Sequence, residues 1–183
     1  MGNAGTAQGQ WRAKALVTNL KTEKSATLDL DIAAQEPDRL RIEALGSFGV
    51  HVASIASRGN EVLISLTREK RFLKSPADRH ALAHIVPVRV APSDLLAILF
   101  DRPLEANNSG WQCSAAVAPQ WTCQSGTATV ARQSDEDGRR RFQFSAPDAR
   151  MDLVVTEAKS DTPPGESAYK LKAPTGFKIE ERK

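Results

Sequence analysis

The chain has 183 residues, of which 40% are hydrophobic and 26% are charged, a balance typical of one globular domain rather than a disordered chain. The formal net charge is +3, and charges of both signs are interleaved along most of the sequence, so no nucleic acid partner is expected. Aromatic residues make up 5%, which predicts a mainly aliphatic core. No apolar run approaches the ~20 residues that span a bilayer.

The N-terminal stretch MGNAGTAQGQ has neither the basic start nor the apolar segment of a secretory signal. Residues 1–8 are predicted to be a disordered linker, and residues 9–183 to form a single domain. Met-Gly-Asn followed by small polar residues is typical of an artificial start on a trimmed mature chain. We therefore expect a targeting segment or a lipid-bearing cysteine to precede this start in the full-length protein.

Alternation of apolar and polar side chains dominates the first part of the chain. The stretches SATLDLDIAAQ, DRLRIEAL and NEVLISLTRE all repeat with a period of two, which predicts antiparallel strands with one dry face. Turn residues at 36–38 and 58–60 join neighbouring strands into a meander. The side chains expected on the dry face, and hence around any hollow that it shelters, are Leu28, Leu30, Ile32, Leu40, Ile42, Val62, Ile64 and Leu66.

The turn within EALGSFGVHV is unusual because it is apolar. Phe48 stands between Gly46 and Gly49, with Leu45 and Val50 on either side, whereas hairpin turns are normally polar. Two interpretations are open. Phe48 is exposed in order to meet a membrane or a partner, or it folds back onto the core while the glycines shape the turn.

The middle of the chain predicts two short helices. Ser75-Pro76-Ala77-Asp78 has the pattern of a helix start, and VAPSDLLAILFDRP predicts a second helix that opens at Pro92 and Ser93. Apolar side chains cover most of the circumference of this second helix, so it must be buried on more than one side. Its residues expected to close over a curved sheet are Leu95, Leu96, Leu99 and Phe100.

Two cysteines, Cys113 and Cys123, flank Pro119 in GWQCSAAVAPQWTCQSG. A hairpin folded at Pro119 places the cysteines opposite each other, within reach of a disulfide, and places Trp111 and Trp121 on the same face. A disulfide implies an oxidising compartment such as the periplasm, whereas the alternative is a pair of buried free thiols.

The C-terminal part continues the meander through turns at 135–138 and 146–148. A last strand is predicted in SAYKLKA, followed by a turn at Pro174-Thr175-Gly176 before FKIEERK. The whole pattern predicts a mainly β protein. Its curved antiparallel sheet forms an incomplete, half-open β-barrel of about ten or eleven strands, with short helices as a lid. Because two short helices cannot cover such a sheet fully, we expect a concave aliphatic cavity that suits a hydrocarbon chain.

Motifs for catalysis are weak. His80 and His84 have the i, i+4 spacing of a metal-binding helix, but no third ligand accompanies them, and a structural role is expected for His51. GSFG lacks the GxSxG pattern of a nucleophile elbow, and the sequence contains no phosphate-binding loop. We therefore expect no enzyme activity, no cofactor and no metal.

Three stretches together resemble the bacterial lipoprotein-localisation family. PDRLRIEALGSFGVHVASI and VAPSDLLAILFDRP are similar to LolB-like outer-membrane lipoproteins, and YKLKAPTGFKIEERK is similar to the tail of LolA-like periplasmic carriers. The resemblance implies an incomplete barrel whose cavity binds the acyl chains of lipoproteins under a helical lid. It also implies that Leu45, Phe48 and Val50 form a loop that inserts into the membrane, with Phe48 as the protruding side chain.

The function implied by this resemblance is LolB-like delivery of acylated lipoproteins or lipids at the periplasmic face of the outer membrane, with a periplasmic carrier as a possible loading partner. Two alternatives remain open. One is a soluble LolA-like carrier in the periplasm, and the other is a structural or adaptor lipoprotein of the envelope with a filled core.

Overall fold

The structure is a computed structural model that describes residues 7–83, 85–102, 104, 110–115, 119–159 and 164–183. It contains one α-helix within that part of the chain, α1 (Pro92–Leu99), and 3₁₀ turns at Ser47–Gly49 and Glu166–Tyr169. The strands are β1 (Gln8–Asn19), β2 (Ser25–Gln35), β3 (Arg39–Leu45), β4 (His51–Arg58), β5 (Glu61–Leu66), β6 (Arg71–Pro76), β7 (Gln112–Ala115), β8 (Trp121–Ser125), β9 (Ala128–Ser134), β10 (Arg140–Ser145), β11 (Ala149–Lys159) and β12 (Lys178–Glu181).

All twelve strands belong to one sheet, in the order β12-β6-β5-β4-β3-β2-β1-β11-β10-β9-β8-β7. The protein is mainly β, and its large curved sheet is not closed into a barrel. Two antiparallel meanders, β1 to β6 and β7 to β11, meet where β1 pairs with β11. This arrangement confirms the predicted fold class, with a slightly larger number of strands than expected.

The period-two pattern of the sequence becomes two distinct faces of the sheet. Ile32, Ile42, Ile55 and Ile64 are directly paired across β2, β3, β4 and β5, and all four are buried on the concave face. Their sequence neighbours, such as Glu43, point to the convex face because successive side chains alternate across a strand. A row of β-branched side chains on adjacent strands packs closely, which favours this register.

Different parts of the chain cover the two faces. The described residues between 81 and 104, which include α1, pack their apolar side chains into the core on the concave face. The C-terminal segment covers the convex face of β3 and β4, where Arg41 Nη1 donates a hydrogen bond to Lys170 O at 2.7 Å and Tyr169 is buried. The sheet is therefore sandwiched near β3 and β4 between a helical connection and the tail.

The first of the two predicted helices is not formed. Ser75 and Pro76 end β6, where they pair with Val62 and Glu61 of β5, and the residues that follow form turns. Strand pairing therefore overrides the helix-start pattern of Ser75-Pro76-Ala77-Asp78. Pro76 is tolerated because it lies beyond the last residue of β6 that pairs with β12, so its missing N–H breaks no bond to that strand.

The last strand also lies elsewhere than predicted. SAYKLKA forms a 3₁₀ turn and an extended segment, and the final strand is β12 within FKIEERK, which runs parallel to β6. The turn before it is present, since Phe177 N donates to Pro174 O at 3.2 Å. At the other end of the chain, β1 begins at Gln8, inside the predicted linker, while residues 1–6 lie outside the described part.

Among the described residues, none of the helices has the length and apolar character required to cross a bilayer.

Candidate functional site

The hollow between the concave face and α1 has an entirely apolar lining among the residues that the structure describes. Of the predicted cavity residues, Leu28, Leu30, Ile32 and Ile42 line it. The other four are buried on the same face but do not contribute to the lining of this hollow; they are Leu40, Val62, Ile64 and Leu66. Sheet strands from the second meander complete the wall with Phe142, Phe144, Met151 and Leu153.

The hollow is small. Its volume is about 50 Å³, whereas pockets that hold ligands usually measure about 300–1,000 Å³. The expected aliphatic cavity is therefore present but small in this conformation, because Ile85, Val86 and the apolar side chains of α1 pack into it. An acyl chain could enter only if these elements moved away from the sheet.

α1 is the lid of this hollow. Leu95, Ile98 and Leu99 line the hollow, Leu96 is buried beside them, and Phe100 stacks edge-on against Trp11 with ring centroids 5.4 Å apart. These contacts place all four predicted lid residues in or beside the core. The helix therefore closes the concave face by hydrophobic packing along most of its length.

The N-terminus of α1 is held by Asp94. Its carboxylate Oδ2 accepts a hydrogen bond from Ala91 N at 2.9 Å, although the side chain is only 8% exposed. Burial raises the pKa of Asp94, and the hydrogen bond from Ala91 and the charge of Arg79 oppose that rise. The lid thus begins at a buried, hydrogen-bonded carboxyl group.

The C-terminus of α1 is held by two arginines of the sheet, an arrangement called here the lid clamp. Arg132 Nε and Nη2 bind the two carboxylate oxygens of Asp101 at 2.9 and 3.2 Å, and Arg140 Nη1 donates to Leu99 O at 2.9 Å. Arg132 is only 5% exposed. Burial lowers the pKa of Arg140, and the charge of Asp101 opposes this effect. Arginines at a helix C-terminus also complement the negative end of the helix dipole.

Sequence reasoning missed the lid clamp. The available signal was in GTATVARQ, where Arg132 lies two residues after Val130 and therefore shares the inward face of the strand with it. An arginine at an inward strand position requires a charged or hydrogen-bonding partner. Asp101, two residues after the end of α1, is that partner, and only the fold brings the two together.

The apolar tip between β3 and β4 projects from the molecule. Phe48 is fully exposed at 104%, and Val50 is 63% exposed, while Leu45 at the base of the loop is partly buried. One of the two interpretations placed Phe48 back against the core, and the full exposure of its side chain excludes that interpretation. It also adopts a positive φ of 59°, which costs a non-glycine residue about 1–2 kcal/mol.

The base of this tip is anchored by a polar cluster on the convex face. His51 Nε2 lies 2.8 Å from Glu43 Oε2 and 2.7 Å from Ser54 Oγ, and His51 Nδ1 lies 2.5 Å from Thr67 Oγ1. A catalytic triad requires the acid on the imidazole nitrogen opposite the serine, but here both contact the same nitrogen. His51 thus connects Glu43, Ser54 and Thr67 by hydrogen bonds at the base of the tip.

Glu43 is the centre of this cluster. Burial raises the pKa of Glu43, but hydrogen bonds from Ser54, His51 and Arg41 outweigh it, so the net pKa lies below the ordinary value. The charged carboxylate therefore ties β3 to the first residues of β4, directly after the tip.

The structure joins Cys113 and Cys123 by a disulfide between β7 and β8, where the two residues are directly opposite each other. Trp111 and Trp121 are buried beside this hairpin. His80 lies in an exposed turn, and His84 lies outside the described residues. Within the described chain, His, Cys, Asp and Glu side chains form no group of three that could hold a metal ion.

Comparisons with known proteins give a fold relation. No family model and no curated protein matches the chain. Among solved structures, a DUF1329 family protein from Desulfovibrio piger matches with a TM-score of 0.51 at 7% identity, covering 91% of each chain. An uncharacterized conserved protein from Thermus thermophilus matches with a TM-score of 0.47 at 16% identity, over 94% of this chain and 91% of that one.

Proposed function

We propose that this protein is a non-enzymatic binder of acyl chains that delivers lipoproteins or lipids to the outer membrane, as a LolB-like receptor does. The observation that carries the proposal is the combination, in one open sheet, of an apolar hollow under a single lid helix with a fully exposed phenylalanine at a hairpin tip. The weak fold similarity to a DUF1329 protein supports the same fold class. The disulfide agrees with a periplasmic location, on the outer membrane or in solution.

Binding would begin with movement of α1. The lid is held by the lid clamp at one end and by Asp94 at the other, with apolar side chains between them. An acyl chain replaces those apolar contacts with its own, so opening exchanges one set of hydrophobic contacts for another. Cargo binding would then shift a population of closed molecules toward an open state.

Delivery would begin at Phe48. Burial of such a side chain in a bilayer contributes about 1.5–3 kcal/mol, which is enough to bias docking and too little to anchor the protein permanently. The backbone of the tip is closed by a hydrogen bond from Gly46 N to Val50 O at 2.7 Å, so Phe48 is presented on a short, defined loop. Cargo would leave the cavity according to its relative affinity for the hydrocarbon of the membrane.

The experiment that tests acyl binding is extraction of the protein purified from cells, followed by native mass spectrometry and titration with a fluorescent fatty acid. We expect bound acyl species, and a saturable fluorescence change on titration. Repeated extractions without lipid, together with no binding of the fluorescent fatty acid, would overturn the proposal.

One observation favours a second function. The small volume of the hollow fits an adaptor of the envelope with a filled core, which would not bind acyl chains at all. The fatty acid titration separates the two functions. Between the anchored receptor and a soluble LolA-like carrier, the start of the full-length gene decides, because a lipid-bearing cysteine indicates the former and a plain cleavage site the latter.

A further inference from the structure

A second hollow lies where the β8–β9 and β10–β11 turns meet the loop before α1. Its volume is about 440 Å³, and it shares no described lining residue with the hollow under the lid. Side chains that can donate hydrogen bonds line much of it, namely Arg79, Arg89, Trp111, Ser125 and Thr127. Aspartate and glutamate are absent from its lining among the described residues.

The two arginines of this hollow differ from most arginines of the molecule. Ten other arginines form ion pairs with carboxylates, as Arg71 does with Glu180 and Arg12 with Asp31. Arg79 and Arg89 form no ion pair within the part of the chain that the structure describes. The charge of Arg79 acts on the buried Asp94, but the structure gives no contact between them within ion-pair distance among the described residues.

Two of the residues that line this hollow carry buried nitrogen donors without acceptors among the described residues. Arg79 Nε and Trp111 Nε1 are both buried, and neither has a hydrogen-bond partner among the described residues. Arg79 Nη2 makes one long contact, at 3.5 Å, with Ser125 Oγ. Buried donors left without acceptors are rare in native proteins, because each costs about 1–3 kcal/mol. These two donors belong to residues that line the hollow, whose wall is therefore rich in donors and short of acceptors among the described residues.

The backbone of Gly110 lies beside Arg79 and Ser125. Gly110 has a positive φ of 72°, and a Cβ atom added to it would lie 3.6 Å from Arg79 Nη1 and 3.8 Å from Ser125 Oγ. The guanidinium group and the serine hydroxyl are thus gathered beside a residue without a side chain.

We propose that this hollow binds a phosphate group, held by the guanidinium groups of Arg79 and Arg89 and by the hydroxyl groups of Ser125 and Thr127. Phosphate fits better than a carboxylate because its three or more oxygens can accept hydrogen bonds from donors on several sides, and arginine pairs with phosphate through two parallel bonds. The phosphate comes from a lipid headgroup or from a soluble phosphate compound. The inference does not depend on acyl binding, since the two hollows have separate linings.

The test is isothermal titration of the whole protein with inorganic phosphate, repeated with Arg79→Gln and Arg89→Gln. We expect saturable binding that each substitution weakens about tenfold, the effect of losing one charge-assisted contact. Arg58→Gln is the matched control, because Arg58 is an exposed arginine at the opposite end of the sheet. Arg89 is exposed as well, so Arg89→Gln is a variant whose folding does not depend on a buried group.

A second arm uses vesicles of phosphatidylcholine with and without phosphatidylglycerol. Vesicle binding that requires phosphatidylglycerol and is lost in Arg79→Gln and Arg89→Gln, without binding of inorganic phosphate, supports the site and identifies a lipid headgroup as its ligand. Absence of both kinds of binding overturns the inference. Losses of equal size in Arg58→Gln also overturn it, since they would reflect net charge alone.

Discussion

At the β3–β4 hairpin, Phe48 and Glu43 each have a solvent exposure that is unusual for their residue type. Phe48 is an apolar side chain left fully exposed, while Glu43 is a charged side chain drawn partly into the protein by hydrogen bonds. Both depart from the usual distribution, in which large apolar side chains are buried and carboxylates are solvated. Such departures occur where a residue serves binding or fixes local geometry, and each leads to a measurable expectation.

Replacement of Phe48 by glutamate is expected to weaken binding to vesicles of phosphatidylethanolamine and phosphatidylglycerol about tenfold to a hundredfold, the equivalent of losing about 1.5–3 kcal/mol of burial. The urea midpoint should stay unchanged, because Phe48 contributes nothing to the core. Sedimentation with vesicles measures the first quantity. Phe48→Leu is the control that keeps an apolar tip, and equal vesicle binding by Phe48→Glu and the parent protein would contradict the role assigned to this residue.

Replacement of Glu43 by glutamine is expected to make stability less dependent on acid. The folded pKa of Glu43 is lowered, so its charge stabilises the fold at neutral pH. That contribution decreases as pH falls below the ordinary glutamate pKa of about 4.3 and is lost once the pH passes below the lowered folded pKa. Urea unfolding between neutral pH and pH 3 should therefore show a shallower decline for Glu43→Gln. A parallel decline in both proteins would show that Glu43 is not a determinant of acid sensitivity.

At the scale of elements, the lid helix is held by two different kinds of interaction. Its length is packed by apolar side chains, which any acyl chain could replace, whereas its C-terminus is fixed by the directional contacts of the lid clamp. Hydrophobic packing is non-directional and tolerates exchange of partners. The lid clamp therefore fixes the position of the C-terminus of α1 on the sheet.

Asp101→Asn is expected to loosen the lid. It leaves the buried Arg132 without its charged partner and should destabilise the closed lid by about 1–3 kcal/mol, less than for a fully buried pair because Asp101 is partly exposed. Amide hydrogen exchange over residues 92–102 should accelerate, and a fluorescent fatty acid should bind faster. Asp31→Asn is the matched control, since Asp31 forms an exposed ion pair with Arg12. Unchanged exchange at residues 92–102 in Asp101→Asn would rule out the clamp as the lock of the lid.

At the scale of the whole molecule, two distant segments of the chain pack against the two faces of the open sheet. The connection between the two meanders lies on the concave face, and the tail lies on the convex face and adds β12 to the edge. The tail is fixed there by contacts such as the ion pair of Arg71 with Glu180. Both hollows lie beside the connection, so its position determines their size and lining.

Much of the fold was predictable because its signals are local. The strands with alternating side chains, the hairpin turns and the apolar tip at Phe48 follow from neighbouring residues, and each was expected where it occurs. The helix expected at Ser75 and the strand expected in SAYKLKA failed because their local patterns were weaker than pairing with β5 and burial of Tyr169. Local preference gives way where long-range contacts contribute more free energy.

The sequence by itself determined that this chain forms an open curved sheet with one dry face, because a period of two along each strand commits alternate side chains to opposite sides. The tertiary structure alone decided how fully that face is covered, which arginines hold the lid and which are left around a separate hollow. Those outcomes depend on contacts between residues far apart in the chain, such as Asp101 with Arg132, and no local pattern specifies such partners.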